Sequence, residues 1–409
     1  MDSTNSAIRL RAVLAVATVS CLLIIPTDCF AKRPHVDDSL LPTLGVVVSV
    51  PDLNTKTFDR ADKRWSTSLF NPVPSAYIRL RLYIRGDLQG QRLRFVVSDP
   101  KGKDVDFIDA SEFYGKSSIK YAWTKRIFDR AADVRLESEA EPTGLEVGID
   151  QYIYQFHMPA DQNFIGGRDD REDLFLAYGR NSSFYRWGKP VAELAFVSKD
   201  TQKETNCTSF LVSRTLLLTN AHCVSESWQI RTASAVFGFE TQTAAQETFQ
   251  IKEIVAKSAS LDFTLLRIEG DAAAWGAVSF QGSRKVNEPL ILIQQPNGGP
   301  KIVAVRKCLV QKVLALGLSG KTTDFYHLCD TEGGSSGSPV MDADSGAVIG
   351  IHHGGQWDPS AHDFHNLAVR SELLLSNLAL CAPSACNEIE YCSRLYGGKT
   401  FEGPTVCND

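Results

Sequence analysis

The chain has 409 residues, a formal net charge of -5, 43% hydrophobic and 22% charged side chains. That balance excludes an intrinsically disordered chain and offers no basic face for phosphate, so no nucleic-acid partner is expected. The length exceeds what one hydrophobic core usually serves, so at least two folded units are expected.

Residues 1–31 read as a secretory signal. Arg9 and Arg11 precede the apolar run Ala12 to Ile25, followed by Pro26 and a small-residue cleavage site ending at Ala31. The run is shorter than the roughly 20 apolar residues that span a bilayer, so no membrane association is expected once the signal is removed. Of the 10 cysteines, Cys21 and Cys29 fall in the signal. The even number left in an exported chain reads as a disulfide set. No paired Cys-x-x-Cys sets occur, and neither a metal nor any other cofactor is expected.

Residues 32–180 read as a β-rich accessory unit. In Tyr77 to Ile84, the apolar Ile78, Leu80, Leu82 and Ile84 alternate with polar or amphipathic residues, which puts one face on a core. Runs at Leu93 to Val97 and Leu145 to Ile149 behave alike, and Asp99-Pro100-Lys101-Gly102 and Glu141-Pro142-Thr143-Gly144 supply turns. The pattern fits a small antiparallel sandwich, with Tyr77 and Tyr83 on its outer surface. Basic groups such as Lys125-Arg126 and Arg168/Arg171 read as solvated surface. The partner of this unit is unknown. Between Ala177 and Lys189 the composition turns polar, which suits a junction. Residues 181–380 then show short apolar strands between Gly, Ser and Asn turns, the signature of a sandwich or barrel. A terminal helix is expected over Glu372 to Leu380, capped by Ser371, with Leu373, Leu374 and Leu378 inward. Residues 381–409 form a tail with Cys381, Cys386, Cys392 and Cys407, too short for its own core and stapled by disulfides. The pairings of these four and of Cys308 and Cys329 stay open.

Three elements carry chemistry. In Asp330-Thr331-Glu332-Gly333-Gly334-Ser335-Ser336-Gly337-Ser338-Pro339, glycines let the chain turn tightly and present a hydroxyl with amide N–H groups aimed into one hollow. In Leu216-Leu217-Leu218-Thr219-Asn220-Ala221-His222-Cys223, an apolar strand delivers a histidine, the residue able to take a serine proton and return it to a leaving amine. Cys207 lies sixteen residues before Cys223, and a bridge between them closes a short loop beside His222, which by loop entropy stabilises the fold by about 3 kcal/mol. In Asp262-Phe263-Thr264-Leu265-Leu266-Arg267-Ile268, an aspartate stands at the mouth of a buried strand, suited to orient the histidine.

The order His, Asp, Ser, the strings Leu-Thr-Asn-Ala-His-Cys, Asp-Phe-Thr-Leu-Leu and Gly-Ser-Ser-Gly-Ser-Pro, and the cysteine spacing together resemble the chymotrypsin-like (trypsin superfamily) serine proteases over residues 185 to 380. With Val348-Ile349-Gly350-Ile351-His352-His353-Gly354-Gly355 the likeness is nearest to the glutamyl-endopeptidase-like branch. The resemblance implies an all-β fold, a chymotrypsin-like double β-barrel behind the sandwich-like front unit. It implies Ser336 as nucleophile, His222 as base, Asp262 as orienter, the amides of Gly334 and Ser336 as oxyanion hole, and a polypeptide substrate. It places the pocket walls at residues 330 to 334 and 351 to 355, with Asp330, Thr331, His352 and Gly354 as substrate-binding residues. Thr331 and His352 match positions that contact an acidic side chain in glutamyl endopeptidases. Asp330 and Glu332 leave cleavage after Arg or Lys open. Ser335 replaces the aspartate that pairs with a newly cut N-terminus in digestive proteases, so activation of that kind is not expected. No stretch after the protease unit is long enough for a PDZ-like domain. The alternatives are an esterase using the same triad and a non-catalytic binding protein on this fold. A metal site at His352, His353, His362 and His365 is disfavoured, because Gly354, Gly355 and Pro359 make the segment a loop.

Overall fold

The computed structural model describes residues 42–396, apart from 55–64, 76, 89, 116–117, 139–141, 159–161, 164–168, 242–243 and 359–362. The expected signal, Cys407, Arg168 and His362 lie outside the described residues. Among those described, no helix is long and apolar enough to cross a membrane.

Alternating β-branched and aromatic residues build the front unit as two antiparallel four-stranded sheets. One runs Thr43–Asn54, Glu146–Met158, Ile78–Arg85, Ile119–Trp123, and the other Trp65–Phe70, Ala131–Ser138, Leu93–Ser98, Asp104–Asp109. Ile78, Leu80, Leu82 and Ile84 of the first pack with Trp65, Phe95, Val134 and Leu136 of the second, as the period of two requires. Tyr77 and Tyr83, expected outside, are only 4% and 8% exposed. Tyr77 is covered by Arg126 at 4.4 Å, and the Tyr83 hydroxyl donates to Glu146 at 2.9 Å.

Around Tyr77 the sandwich is also joined to the next unit. Arg79, buried, extends from the sandwich to Glu204 of the next unit at 3.0 Å, and Arg126 reaches the same carboxylate oxygen at 2.8 Å. Arg126 is therefore a buried partner rather than solvated surface. Arg231 bonds back to Asp106 at 2.8 Å, and Tyr114 stacks on Trp228 at 4.3 Å. Sandwich and barrels belong to one compact unit.

The rest of the chain is two antiparallel barrels, so the fold is the all-β chymotrypsin-like one. The first is a closed barrel of Val191–Val197, Glu204–Leu211, Leu216–Thr219, Phe263–Ile268, Glu247–Ser258 and Ser234–Phe237. The second is an eight-stranded sheet in the order Glu172–Asp173, Ile302–Ala304, Leu290–Gln294, Pro339–Asp342, Val348–Asp358, Asp363–Arg370, Thr322–His327, Val310–Leu316. A bridge between Pro289 and Leu309 joins the strands beginning at Leu290 and Val310 and closes six of the eight into a ring. Between the barrels, Phe210, Leu218, Leu265, Ile291, Met341 and Ile351 share one apolar cluster with the terminal helix.

Three local expectations change. The polar stretch after Ala177, expected as a junction, carries secondary structure of its own: the end of a short helix, Leu174–Tyr178, capped by Asp173, and a second, Ser183–Gly188, capped by Ser182. The terminal helix is Ser371–Cys381 with Arg370 at the N-cap, because the Ser371 hydroxyl is drawn to the Gln281 carbonyl at 2.7 Å. Its buried side is Leu374, Leu375 and Leu378, while Leu373 is half-buried. The described part of the tail forms two further helices, Pro383–Glu388 and Glu390–Tyr396, closed by Cys386–Cys392. Ala385, Ile389 and Cys392 join the inter-barrel core, so the tail borrows a core instead of lacking one.

The Glu204 contact yields a test. Burial raises the pKa of this carboxyl, but Arg79 and Arg126 outweigh it and hold the group below its ordinary value. Glu204→Gln leaves two buried guanidiniums uncompensated and is expected to cost about 3–5 kcal/mol of stability. Urea unfolding measures this, and a parental midpoint contradicts it.

Candidate active site

Strand pairing brings the first two residues together. Thr219 lies opposite Thr264, so the chain leaving Leu216–Thr219 and the chain entering Phe263–Ile268 meet at one barrel end. Asn220 ties the corner by donating from Nδ2 to the Asp262 carbonyl at 2.8 Å. Asp262 has φ 45, a left-handed conformation that Asp tolerates better than most residues. Its carboxylate accepts the His222 backbone N–H on Oδ1 at 2.9 Å and lies 2.8 Å from His222 Nδ1 through Oδ2. This two-point hold makes Nδ1 the protonated nitrogen and leaves Nε2 as the basic one. Nε2 is buried and has no hydrogen-bond partner among the described residues. The disulfide Cys207–Cys223 pins the corner from the neighbouring strand.

Two further residues extend the array. His353 places Nδ1 3.4 Å from Asp262 Oδ2 and Nε2 2.6 Å from Asp324 Oδ2. Asp324 also accepts from the Thr323 hydroxyl at 2.8 Å. All of these groups are buried. Burial works against a charge on His353, yet Asp324 and Asp262 overcome it and raise its pKa to about 10. Burial likewise raises the pKa of Asp262, but His222 and His353 hold it well below the usual carboxylate range. The result is a row of alternating charge, Asp324, His353, Asp262, ending on His222.

The loop bearing Ser336 is pinned from several sides. Thr208 donates its N–H to the Ser336 carbonyl at 2.8 Å and its hydroxyl to the Gly334 carbonyl at 2.8 Å. The Gly337 N–H donates to the His352 carbonyl at 2.8 Å, and the His352 N–H to the Ser338 carbonyl at 2.9 Å. Gly337 has φ +86, and a Cβ there would stand 2.0 Å from the Thr208 carbonyl oxygen, so no other residue fits. Gly334 has φ +93. Inside the turn, Ser335 N–H reaches the Glu332 carbonyl at 2.9 Å and Ser338 N–H the Ser335 carbonyl at 3.0 Å, with the amides of Gly334 and Ser336 outside these bonds. The Ser335 hydroxyl donates to the Gln294 side chain, whose Nε2 in turn donates to the Asp330 carbonyl at 2.9 Å. Ser336 itself is half-buried.

The residues expected to bind substrate lie around this loop. Asp330 is buried, and its Oδ2 accepts the Asp170 N–H at 2.9 Å. Thr331 is buried and donates to Asn366 Oδ1 at 3.2 Å. His352 is buried with Nδ1 3.2 Å from His327 Nε2. Burial, with His327, His353 and His222 adding repulsion, pushes the His352 pKa well down, so the ring is neutral. Gly354 is half-exposed. The disulfide Cys308–Cys329 anchors the chain just before Asp330.

His352 and His353 do not converge on one ion, since one ring faces His327 and the other sits between two aspartates; His365 stacks on Tyr326 at 4.8 Å. Among the described residues one cluster has metal-like spacing, Cys207, His222 and Cys223, and its two sulfurs are joined to each other.

Asp324, Gln294 and the role of His353 were not visible in the sequence. Gly354 and Gly355, expected in a loop, lie with His352 and His353 in the strand Val348–Asp358, where alternation sends neighbouring side chains to opposite faces and so gives the two histidines different partners.

The charged His353 gives a pH prediction. Its folded pKa lies above the ordinary 6.5, so its ion pairs stabilise the fold fully below about pH 6.5, and that contribution is lost as the pH rises through about 10. Denaturant midpoints are expected to fall more steeply across this range in the parent than in His353→Gln. Parallel slopes contradict the assignment.

The chain has recognisable similarity to known proteins. Residues 207–351 match the family described as a trypsin-like peptidase domain. The chain is 24% identical over 306 residues to Secreted RxLR effector protein 73 of Plasmopara viticola, covering 70% of this chain and 73% of that protein. Among solved structures, the active form of the Rv3671c protease from M. tuberculosis is 16% identical with a TM-score of 0.39, covering 61% of this chain and 97% of that one. A Glu endopeptidase is 19% identical with a TM-score of 0.38, covering 51% of this chain and 94% of that one. What the match supports is a trypsin-like peptidase domain over residues 207–351.

Proposed function

We propose that this trypsin-like peptidase domain is that of a secreted serine endopeptidase, which hydrolyses peptide bonds through Ser336, His222 and Asp262. The observation that carries the reading is the two-point grip of the buried Asp262 carboxylate on His222, at 2.9 Å to its backbone and 2.8 Å to Nδ1. That grip fixes the tautomer in which Nε2 accepts a proton.

The chemistry follows from the groups present. Ser336 Oγ attacks the substrate carbonyl carbon while His222 Nε2 takes its proton. The oxygen that gains charge is met by the amides of Gly334 and Ser336. Collapse expels the amine, which receives the proton from His222, and leaves an ester on Ser336. Water, deprotonated by His222, then hydrolyses the ester. Asp262 stabilises the imidazolium at each stage and does not itself take the proton.

The pocket environment supports cleavage after acidic residues. Asp330, the group a basic side chain would seek, already accepts a backbone N–H and is buried. Glu332 on the same wall is paired with Arg171, and the uncharged polar side chains there are Thr331 and His352, held by Asn366 and His327; a hydroxyl with an imidazole suits a carboxylate. Export is supported by the Cys207–Cys223, Cys308–Cys329 and Cys386–Cys392 disulfides, which need an oxidising compartment, and by the name of the Plasmopara viticola relative.

A peptide panel varying the residue before the cut tests both claims. Turnover after Glu or Asp is expected, with Ser336→Ala slower by on the order of 10⁴-fold or more. Cleavage after Arg alone contradicts the acidic pocket, and parental turnover by Ser336→Ala contradicts the mechanism.

A further inference from the structure

We propose that Arg171, in the segment joining the sandwich to the first barrel, is a positioning residue that holds the Ser336 loop in working shape through Glu332. This rests on the reading of Ser336 as nucleophile. Three consecutive residues of the loop are held by that joining segment. Asp330 Oδ2 accepts the Asp170 N–H at 2.9 Å. Thr331 and Glu332 form a two-stranded antiparallel ladder with Gln162–Asn163. Glu332 Oε1 lies 2.7 Å from Arg171 Nη1, with the two side chains only 6% and 4% exposed. Arg171, expected as solvated surface, is an internal ion-pair partner.

The guanidinium is fixed at its other end as well. Its Nε and Nη2 donate to the two oxygens of Asp169 at 2.9 and 3.0 Å. The next residues, Glu172–Asp173, are hydrogen-bonded to Ile302–Ala304 at the edge of the second sheet. Arg171 therefore presents its charge to Glu332 from a rigid support, in a geometry that a single cation without the fork would not reproduce.

From Glu332 the constraint passes to the nucleophile in one step. The Glu332 N–H donates to Ser335 Oγ at 3.0 Å, and the Ser335 N–H donates to the Glu332 carbonyl at 2.9 Å. This reciprocal pair closes the turn holding Gly334, and Ser336 follows directly. Loops of this kind lose considerable entropy when ordered. A buried carboxylate without its cation would leave its position and release the turn. A loop ordered by the chain's own interior cation needs no newly cut N-terminus to become competent, which accounts for Ser335 where an aspartate would receive one.

The test uses the mature chain, with Arg171→Met, Glu332→Gln, the double variant and Arg171→Lys. Hydrogen exchange by mass spectrometry over residues 330–336 is measured beside kcat and KM. Both single variants are expected to exchange faster in this segment and to lose kcat on the order of 100-fold, the scale of disabling an oxyanion donor, with a much smaller change in KM. The double variant is expected to be no worse than either single, and Arg171→Lys to recover part of both losses. Parental exchange in Arg171→Met and Glu332→Gln overturns the proposal whatever the activity, and so do losses that add in the double. If Arg171→Met does not fold, Glu332→Gln, which keeps the side chain's size, decides alone. Faster exchange in both variants of a parent chain that itself cleaves no peptide would uphold the ordering role while removing the endopeptidase reading.

Discussion

A carboxylate that is 2% exposed stays ionised only if donors surround it, and Asp262 is the group around which the site is arranged. The first barrel supplies the His222 backbone N–H and ring. The second supplies His353. Because His353 is then itself a buried cation, it needs Asp324 behind it, and Asp324 needs the Thr323 hydroxyl. The demand for compensation thus runs across both barrels and fixes their contact at the point where the histidine must be held. In the resting state the row is Asp324, His353 and Asp262, alternating in sign. In the proposed mechanism His222 gains a proton, and the alternation then extends by one member, so the charged intermediate completes a pattern already built.

The Ser336 side obeys a different constraint. Its loop has little apolar mass to bury, so its shape comes from directional bonds: Thr208 from the first barrel, His352 and Gln294 from the second, and the joining segment at residues 330 to 332. The front sandwich is tied to the same framework. Glu204 lies on the strand Glu204–Leu211 that also carries Cys207 and Thr208, and it accepts from Arg79 and Arg126 of the sandwich. The accessory unit therefore contacts the strand that supports the site rather than hanging from a free tether.

What could be read from the sequence was what is written locally. His222, Asp262 and Ser336 each stand in a short string whose strand or turn is self-evident, and the Cys207–Cys223 spacing is part of the family resemblance, with the bridge present in the structure. The sandwich was legible from period-two alternation. Its outer face was not: Tyr77 and Tyr83 look solvent-facing in a strand taken alone, but Tyr77 lies under Arg126, which reaches Glu204, and Tyr83 is held by Glu146 and Arg85. His353 and Asp324 stand 29 residues apart, and Arg171 and Glu332 much further. Such pairs leave no local trace, since each partner by itself reads as an ordinary strand or surface residue. The helices between Leu174 and Gly188 were hidden by polar composition, their caps Asp173 and Ser182 being also the commonest turn formers.

The central claim is that Asp262 and His222 make Ser336 a nucleophile. Labelling the mature protein with a fluorophosphonate, then digesting it and locating the adduct by mass spectrometry, tests this most directly. One adduct on Ser336 is predicted, with labelling lost in His222→Ala and in Ser336→Ala. An adduct on Ser335 or Ser338, or undiminished labelling of Ser336 without His222, would contradict the account.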